Sequence, residues 1–147
     1  MAVLAVSGPF SWLLAIEGVS EFVGSLILSV SKNRIVFLLV INLLFFVVGC
    51  FIETGAGILI FTPIIFPTAM SLGIDPVHLG VIIVVNLSFG MATPPVGENQ
   101  YIAAAIGGIS FDQQVKASIP YLLIAFTGVL FISLVPQISL WLPSVLR

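Results

Sequence analysis

Residues 93–100 read Thr93-Pro94-Pro95-Val96-Gly97-Glu98-Asn99-Gln100: two adjacent prolines, then a carboxylate and two carboxamides, shortly after the apolar run of residues 77–85. Proline has no N–H, so Pro94 and Pro95 deprive the carbonyls of Gly90 and Met91 of their usual helical partners, and each disfavours helical angles in the residue before it. The spacing therefore predicts a helix break with two facing ends. One, from Gly90 to Thr93, is a C-terminus with free carbonyls and the negative end of the dipole, which suits a cation. The other, from Pro95 to Glu98, is an N-terminus with free N–H groups, which suits a carboxylate. Pro95, Val96, Gly97, Glu98 and Asn99 are accordingly the candidate substrate-binding residues. A proline kink that only shapes packing is the plainer alternative, and the polar run beyond Pro95 argues against it.

Glu53 raises a second question, because it closes the apolar run of residues 35–52 and opens the small, polar cluster Glu53-Thr54-Gly55-Ala56-Gly57. A charge at the centre of a bilayer costs on the order of 2.5–3.5 kcal/mol on insertion scales, so it must face protein, ion or water. At helical spacing Asn42, Gly49 and Glu53 share one face, a polar and closely packing stripe. The alternative puts Glu53 in a surface loop between two ordinary short spans. His78 is the sole histidine and sits beside Asp75-Pro76 at a helix start, where capping or an interfacial position is the expected role. No serine, histidine and acid constellation is visible, nor any metal-ligand spacing, so the chain is not read as an enzyme. Cys50 is alone, which excludes a disulfide within one chain.

These residues need elements to hold them, and composition says in what solvent. Of 147 residues 60% are hydrophobic and 7% charged, with a mean hydropathy of +1.30, which places the chain in a lipid bilayer. The formal net charge of −2 comes without a basic patch, so nucleic acid is excluded as a partner. The N-terminus lacks the positive region of a secretory signal. Residues 1–34 are expected to hold a partial helix, interrupted at Gly8-Pro9, and a short interfacial or connecting helix. Residues 35–107 are expected to form a re-entrant helical hairpin with its tip at 53–57, followed by a broken helix with its break at 90–97. Residues 108–147 are read as a short surface helix over 110–118, N-capped by Ser110, and a last transmembrane helix that starts at Pro120 and carries Trp141 as an interfacial anchor.

The stretches LIFTPIIFP, GIDPVHLGV and NLSFGMATPPVG carry a family likeness. From about Ser11 to Pro143 the sequence resembles the large membrane (permease) subunit of tripartite ATP-independent periplasmic (TRAP) transporters of the dicarboxylate and sialic acid type. The resemblance implies an all-α integral membrane fold, the second inverted repeat of an elevator-type ion transporter, and about the last third of a complete subunit. It implies a hairpin over 36–72 and a broken helix over 77–106. It also implies secondary active transport of an organic acid, a carboxylate, driven by a sodium gradient across the bacterial inner membrane. The implied sodium-binding residues are Glu53, Thr54, Gly55 and Ala56 with Gly90, Met91, Thr93 and Pro94. A small membrane subunit, a periplasmic substrate-binding protein and the bilayer are the implied partners, with no cofactor beyond the coupling ion. Where the family continues TPPVG with an apolar residue and Asn-Leu-Phe, this chain has Glu98-Asn99-Gln100-Tyr101, and a carboxylate there caps the helix but repels an acidic substrate. Two other functions stay open at this point: a proton-coupled permease of the wider ion-transporter superfamily working through Glu53, and an inactive truncated or accessory membrane protein.

Overall fold

The computed structural model describes residues 8–10, 12–14, 16–18, 22, 25 and 33–146, and the helices expected over 1–34 fall mostly outside them. Among the described residues the regular structure is entirely helical. Helix α1 spans Arg34–Gly49, begun by Asn33, whose side chain accepts the Ile35 N–H. Helix α2, Thr54–Ser71, starts on Glu53 and continues through Pro63 and Pro67. It ends in a turn on Gly73 (φ 69°), where the Ile74 N–H reaches back to the Ala69 carbonyl and the Ile74 side chain is buried. Asp75 then caps helix α3, Pro76–Gly90, through the Val77 and His78 N–H groups, with Pro76 in the first turn, where its missing N–H costs nothing.

After the break come α4, Glu98–Gly107, then α5, Phe111–Leu134, and α6, Pro136–Val145. Ser110 and Gln113 form a reciprocal capping box at the start of α5. Helix α3 is the centre of the assembly and packs against α1, α2, α5 and α6. Its Leu79, Ile82, Ile83 and Leu87 meet Phe37, Ile41 and Phe45 of α1 and Ile65 and Ala69 of α2 in one buried cluster. The hairpin arms α1 and α2 therefore touch α3 more than each other, although Phe45 and Phe61 meet edge to face at 6.2 Å. Where α1 and α3 end, their backbones are in contact: a Cβ on Gly90 would lie 2.5 Å from the Gly49 Cα.

Among the described residues two helices, α2 with 18 residues and α5 with 24, are long and apolar enough to cross a membrane. Helix α1 has 16 residues, which at about 1.5 Å each is roughly 24 Å, short of a bilayer core of about 30 Å. Helix α5 turns an apolar face outward, with Tyr121, Ile124 and Phe131 all exposed, as a lipid-facing or subunit-facing helix does.

Two expectations are corrected. The separate surface helix over 110–118 and the span beginning at Pro120 are one continuous helix, α5. Pro120 takes the helical partner from the Lys116 carbonyl, but Lys116 is exposed, so solvent can satisfy that group and the helix need not stop. The interruption falls instead at Val135 (φ −114°, ψ 86°), just before Pro136, inside what reads as an unbroken apolar span. The hairpin tip also sits earlier than 53–57. Residues 50–53 make the turn, and 54–57 are already the first turn of α2, because Glu53 caps it.

Candidate functional site

The tip of the hairpin lies against the break after α3. Thr54 Oγ1 donates to Met91 Sδ at 3.0 Å, a bond between residues 37 apart in sequence. A cavity of about 50 Å³ lies between Cys50, Phe51, Ile52 and Glu53 on the tip and Met91, Val96 and Glu98 on the break. Such a space is roomy enough for a water-sized guest.

Hydrogen-bond accounting shows which groups around this space remain available. On the break, the Gly90 carbonyl accepts from the Thr93 N–H at 2.8 Å, that of Met91 from the Asn99 N–H at 3.2 Å, and that of Ala92 from Gln100 Nε2 at 2.6 Å. The expectation of open carbonyls from Gly90 onward is therefore corrected for Gly90, Met91 and Ala92. Gly90 is met within its own turn; for Met91 and Ala92 the cause is Gly97, which in the left-handed region (φ 46°) folds the chain back so that Asn99 and Gln100 return to the end of α3. A Cβ there would lie 2.8 Å from the Thr93 carbonyl oxygen, so the turn needs glycine. The Pro94–Pro95 peptide bond is cis.

On the tip the balance is reversed. Among the described residues no backbone N–H donates to the carbonyls of Cys50, Phe51 or Ile52. Glu53 turns both carboxylate oxygens onto its own helix, accepting from the N–H groups of Gly55 at 2.9 Å and Ala56 at 3.2 Å. Its charge thus sits at the positive end of the α2 dipole, where an anion is favoured. At the start of α4 no side chain caps the helix, and among the described residues the N–H groups of Val96 and Glu98 have no backbone acceptor.

Glu98, Asn99 and Gln100, adjacent in sequence, part company in space. Glu98 and Asn99 are exposed, Glu98 on the cavity wall, whereas Gln100 is buried. Besides holding the Ala92 carbonyl, Gln100 accepts at Oε1 from Ser118 Oγ at 3.0 Å, which ties the break to α5.

A buried polar seam lies behind this site. Asn86 Nδ2 donates to Asn42 Oδ1 at 2.7 Å and to the Ile82 carbonyl at 2.8 Å, while Ser133 Oγ donates to the same Asn42 Oδ1 at 2.8 Å. Asn42, Asn86 and Ser133 are all buried, and Asn86 Oδ1 has no partner. Further along, His78 Nε2 is 3.1 Å from the Ser133 carbonyl and Nδ1 is 3.1 Å from Ser139 Oγ. A carbonyl only accepts, so Nε2 carries the proton, and in the neutral ring Nδ1 accepts from the hydroxyl. An unbroken helix would give the Ser133 carbonyl to Gln137. Here His78 takes it, and the ring bridges the end of α5 to the start of α6. The expected capping role for His78 is thus exercised on another helix.

Residues 1–138 match the model of the protein family described as tripartite ATP-independent periplasmic transporter, DctM component. The chain belongs to this family. It is 46% identical over 134 residues to the Salmonella typhimurium protein YgiK, itself uncharacterised, covering 91% of this chain and 31% of that protein. It is 38% identical over 144 residues to the C4-dicarboxylate TRAP transporter large permease protein DctM of Pseudomonas aeruginosa, covering 98% and 34% respectively. With the sialic acid TRAP transporter large permease protein SiaM of Vibrio cholerae it shares 37% identity over 135 residues, 92% of this chain and 32% of that one. The chain spans about a third of the length of these relatives. It is a membrane transport-family chain, and the DctM and SiaM relatives are named as large permease proteins.

Of the candidate residues in this DctM-family segment four line the cavity, and Thr54, Gly55, Ala56, Gly90, Thr93, Pro94, Pro95, Gly97 and Asn99 do not. Met91, Val96, Glu53 and Glu98 line it; Thr54 is bonded to its wall; Gly55 and Ala56 give their N–H groups to Glu53; Gly90 and Thr93 are bonded to each other. Sequence reasoning missed the Cys50, Phe51 and Ile52 carbonyls and the partnership of Asn42 with Asn86 and Ser133. A signal for the second existed, since Asn86 stands one helical turn before Gly90, as Asn42 stands two turns before Gly49 on the facing helix.

Proposed function

We propose that this segment forms the ion- and substrate-facing part of a TRAP large permease that takes up an organic acid across the bacterial inner membrane, driven by a sodium gradient. The cavity between tip and break carries the proposal. Cys50, Phe51 and Ile52, whose carbonyls accept from no backbone N–H among the described residues, line it together with Glu98, and their carbonyl and carboxylate oxygens are hard donors able to replace the water shell of a small cation. Val96 and Glu98, whose N–H groups have no backbone acceptor among the described residues, line the same cavity, and such N–H groups suit a carboxylate. A cation between Glu98 and the substrate would offset the repulsion that Glu98 exerts on an acid, and coupling would follow, because the acid then binds well only after the ion. The named relatives act on C4-dicarboxylates and sialic acid, both of which carry carboxylates.

In this reading the segment is the second inverted repeat of an elevator-type fold. The Gly49–Gly90 contact and the Asn42–Asn86–Ser133 seam make α1, α3 and α5 one body, as a moving transport domain requires. A small membrane subunit and a periplasmic substrate-binding protein complete the transporter. Uptake measured in proteoliposomes holding the complete large permease, its small subunit and its binding protein tests the proposal. Accumulation of an organic acid is expected with an inward sodium gradient and not with choline in its place; equal accumulation in both would overturn sodium coupling.

A further inference from the structure

We propose that α6 lies flat in the headgroup boundary of the bilayer and presents Ile138, Trp141, Leu142 and Val145 to lipid, instead of ending a membrane crossing. Helix α5 completes the crossing by itself. Its first turns carry Asp112, Gln113, Gln114 and Lys116. The apolar stretch that follows, residues 117–134, is roughly 27 Å long, close to a bilayer core of about 30 Å. The chain leaves helical geometry at Val135, and the ten residues of α6 begin beyond it. Continued straight on, they would carry four large apolar side chains about 15 Å further, out of the hydrocarbon.

Charged residues mark the same level independently. Helices α1 and α3 run side by side in one direction, pairing Asn42 with Asn86 and Gly49 with Gly90. Their starts, at Arg34 and Pro76, therefore share one end of the bundle. Helix α6 packs at that end: Ser139 meets His78 in the first turn of α3, and Asp75 caps the same turn. Arg34 and Asp75 belong at a membrane boundary, since a charge in the core is costly.

The faces of α6 suit that place. At about 100° per residue, Pro136, Ser139, Leu140 and Pro143 fall on one side, and all four are half-buried against the protein. Ile138, Trp141, Leu142 and Val145 fall on the other, 46–64% exposed. Gln137 and Ser144, both exposed, occupy the flank between Leu140 and Trp141. A helix in the interface turns such a flank to water and its apolar stripe to the acyl chains. Trp141 stands where stripe and flank meet, with its ring toward lipid and its N–H toward the headgroups, the position tryptophan favours in membranes. The stripe is built for lipid and not for a neighbouring helix: faces that seat helices in membranes are rich in small residues, and all four side chains here are large.

The test uses the complete large permease with its small subunit in nanodiscs of phosphatidylethanolamine and phosphatidylglycerol. A nitroxide is attached to I138C, L142C, V145C, Q137C or S144C, one at a time, which leaves Trp141 in place. The unsubstituted protein, whose Cys50 is buried, is the labelling blank, and spin-labelled lipids calibrate depth. Collision with oxygen, which concentrates in lipid, is compared with collision with a water-soluble nickel chelate. Positions 138, 142 and 145 are expected to favour oxygen at the level of the headgroup boundary, and 137 and 144 to favour the chelate. Positions 138 and 145 point nearly the same way, so their difference in depth reads the tilt of the helix alone. An upright helix would separate them by about 10 Å, and less than half of that is expected. A larger separation would overturn the proposal. So would positions 138, 142 and 145 shielded from both reagents, which would mean that protein covers the stripe, or all five positions responding alike.

Discussion

Replacing Gly90 by alanine probes the contact that joins the hairpin to the broken helix. A Cβ at Gly90 would lie 2.5 Å from both the Cα and the carbonyl carbon of Gly49, where ordinary contact begins at 3.4 Å. Those atoms are backbone and cannot swing aside, so α1 and α3 must part locally by about 0.9 Å, the difference between the two distances. Asn86 lies one turn away, and the same parting stretches its bond to Asn42 from 2.7 Å to about 3.6 Å, beyond hydrogen-bond reach. Overpacking of this kind costs roughly 1–3 kcal/mol, and the weakened buried bond adds about 1 kcal/mol. Together these lower the thermal midpoint of the complete subunit, about three times the length of this chain, by roughly 2–5 °C in detergent. Gly80 is the control in the same helix. A Cβ there meets nothing within 4 Å, so G80A should be neutral or stabilising by up to about 1 kcal/mol through helix propensity. Midpoints of G90A and G80A that fall together, or a G90A midpoint at or above native, would refute the close backbone packing on which the rigid body rests.

Other outcomes follow from the seam and the caps. Asn42→Leu or Asn86→Leu alone leaves the other carboxamide buried without its partner and should cost roughly 1–3 kcal/mol. The double variant should cost less than the sum, measured by thermal midpoints in a double-mutant cycle, and strict additivity would count against the bond. His78→Phe removes the donor to the Ser133 carbonyl and the acceptor for Ser139. It should lower the midpoint and raise protease sensitivity at the α5–α6 junction before other sites are cut. Glu53→Ala loses both capping bonds to α2 and should cost about 1 kcal/mol. Glu53→Gln keeps an accepting oxygen and should cost less, so equal losses in thermal midpoint would mean that charge, and not capping, is what Glu53 supplies.

Much of the helical framework is written locally. The Pro94-Pro95 pair removes donors whatever surrounds it, and α3 does end at Gly90 with α4 starting at Glu98. Asp75-Pro76 and Ser110 through Gln113 are start signals that act within one turn, and each begins a helix here. Helix α2 also began where a cap stood, but Glu53 was read for its charge and not for its reach to the N–H groups of Gly55 and Ala56. That misplaced the tip by a few residues.

What sequence by itself determined is where the chain loses hydrogen-bond partners, because proline's missing N–H and glycine's missing Cβ are local covalent facts. What only the tertiary structure decided is who replaces those partners. Pro120 and Pro136 obey the same rule and have opposite outcomes. The carbonyl freed by Pro120 belongs to exposed Lys116, and the helix runs on; at Pro136 the helix stops at Val135, so the buried Ser133 carbonyl also loses Gln137 and is met by His78 from 55 residues away. The break after α3 follows the same logic. Its carbonyls look available in sequence, but the left-handed turn at Gly97 brings Asn99 and Gln100 back to take those of Met91 and Ala92, and among the described residues it is the carbonyls of Cys50, Phe51 and Ile52 on the facing tip that accept from no backbone N–H. A missing donor is a property of the residue, and its replacement is a property of whatever the fold brings within 3 Å of it.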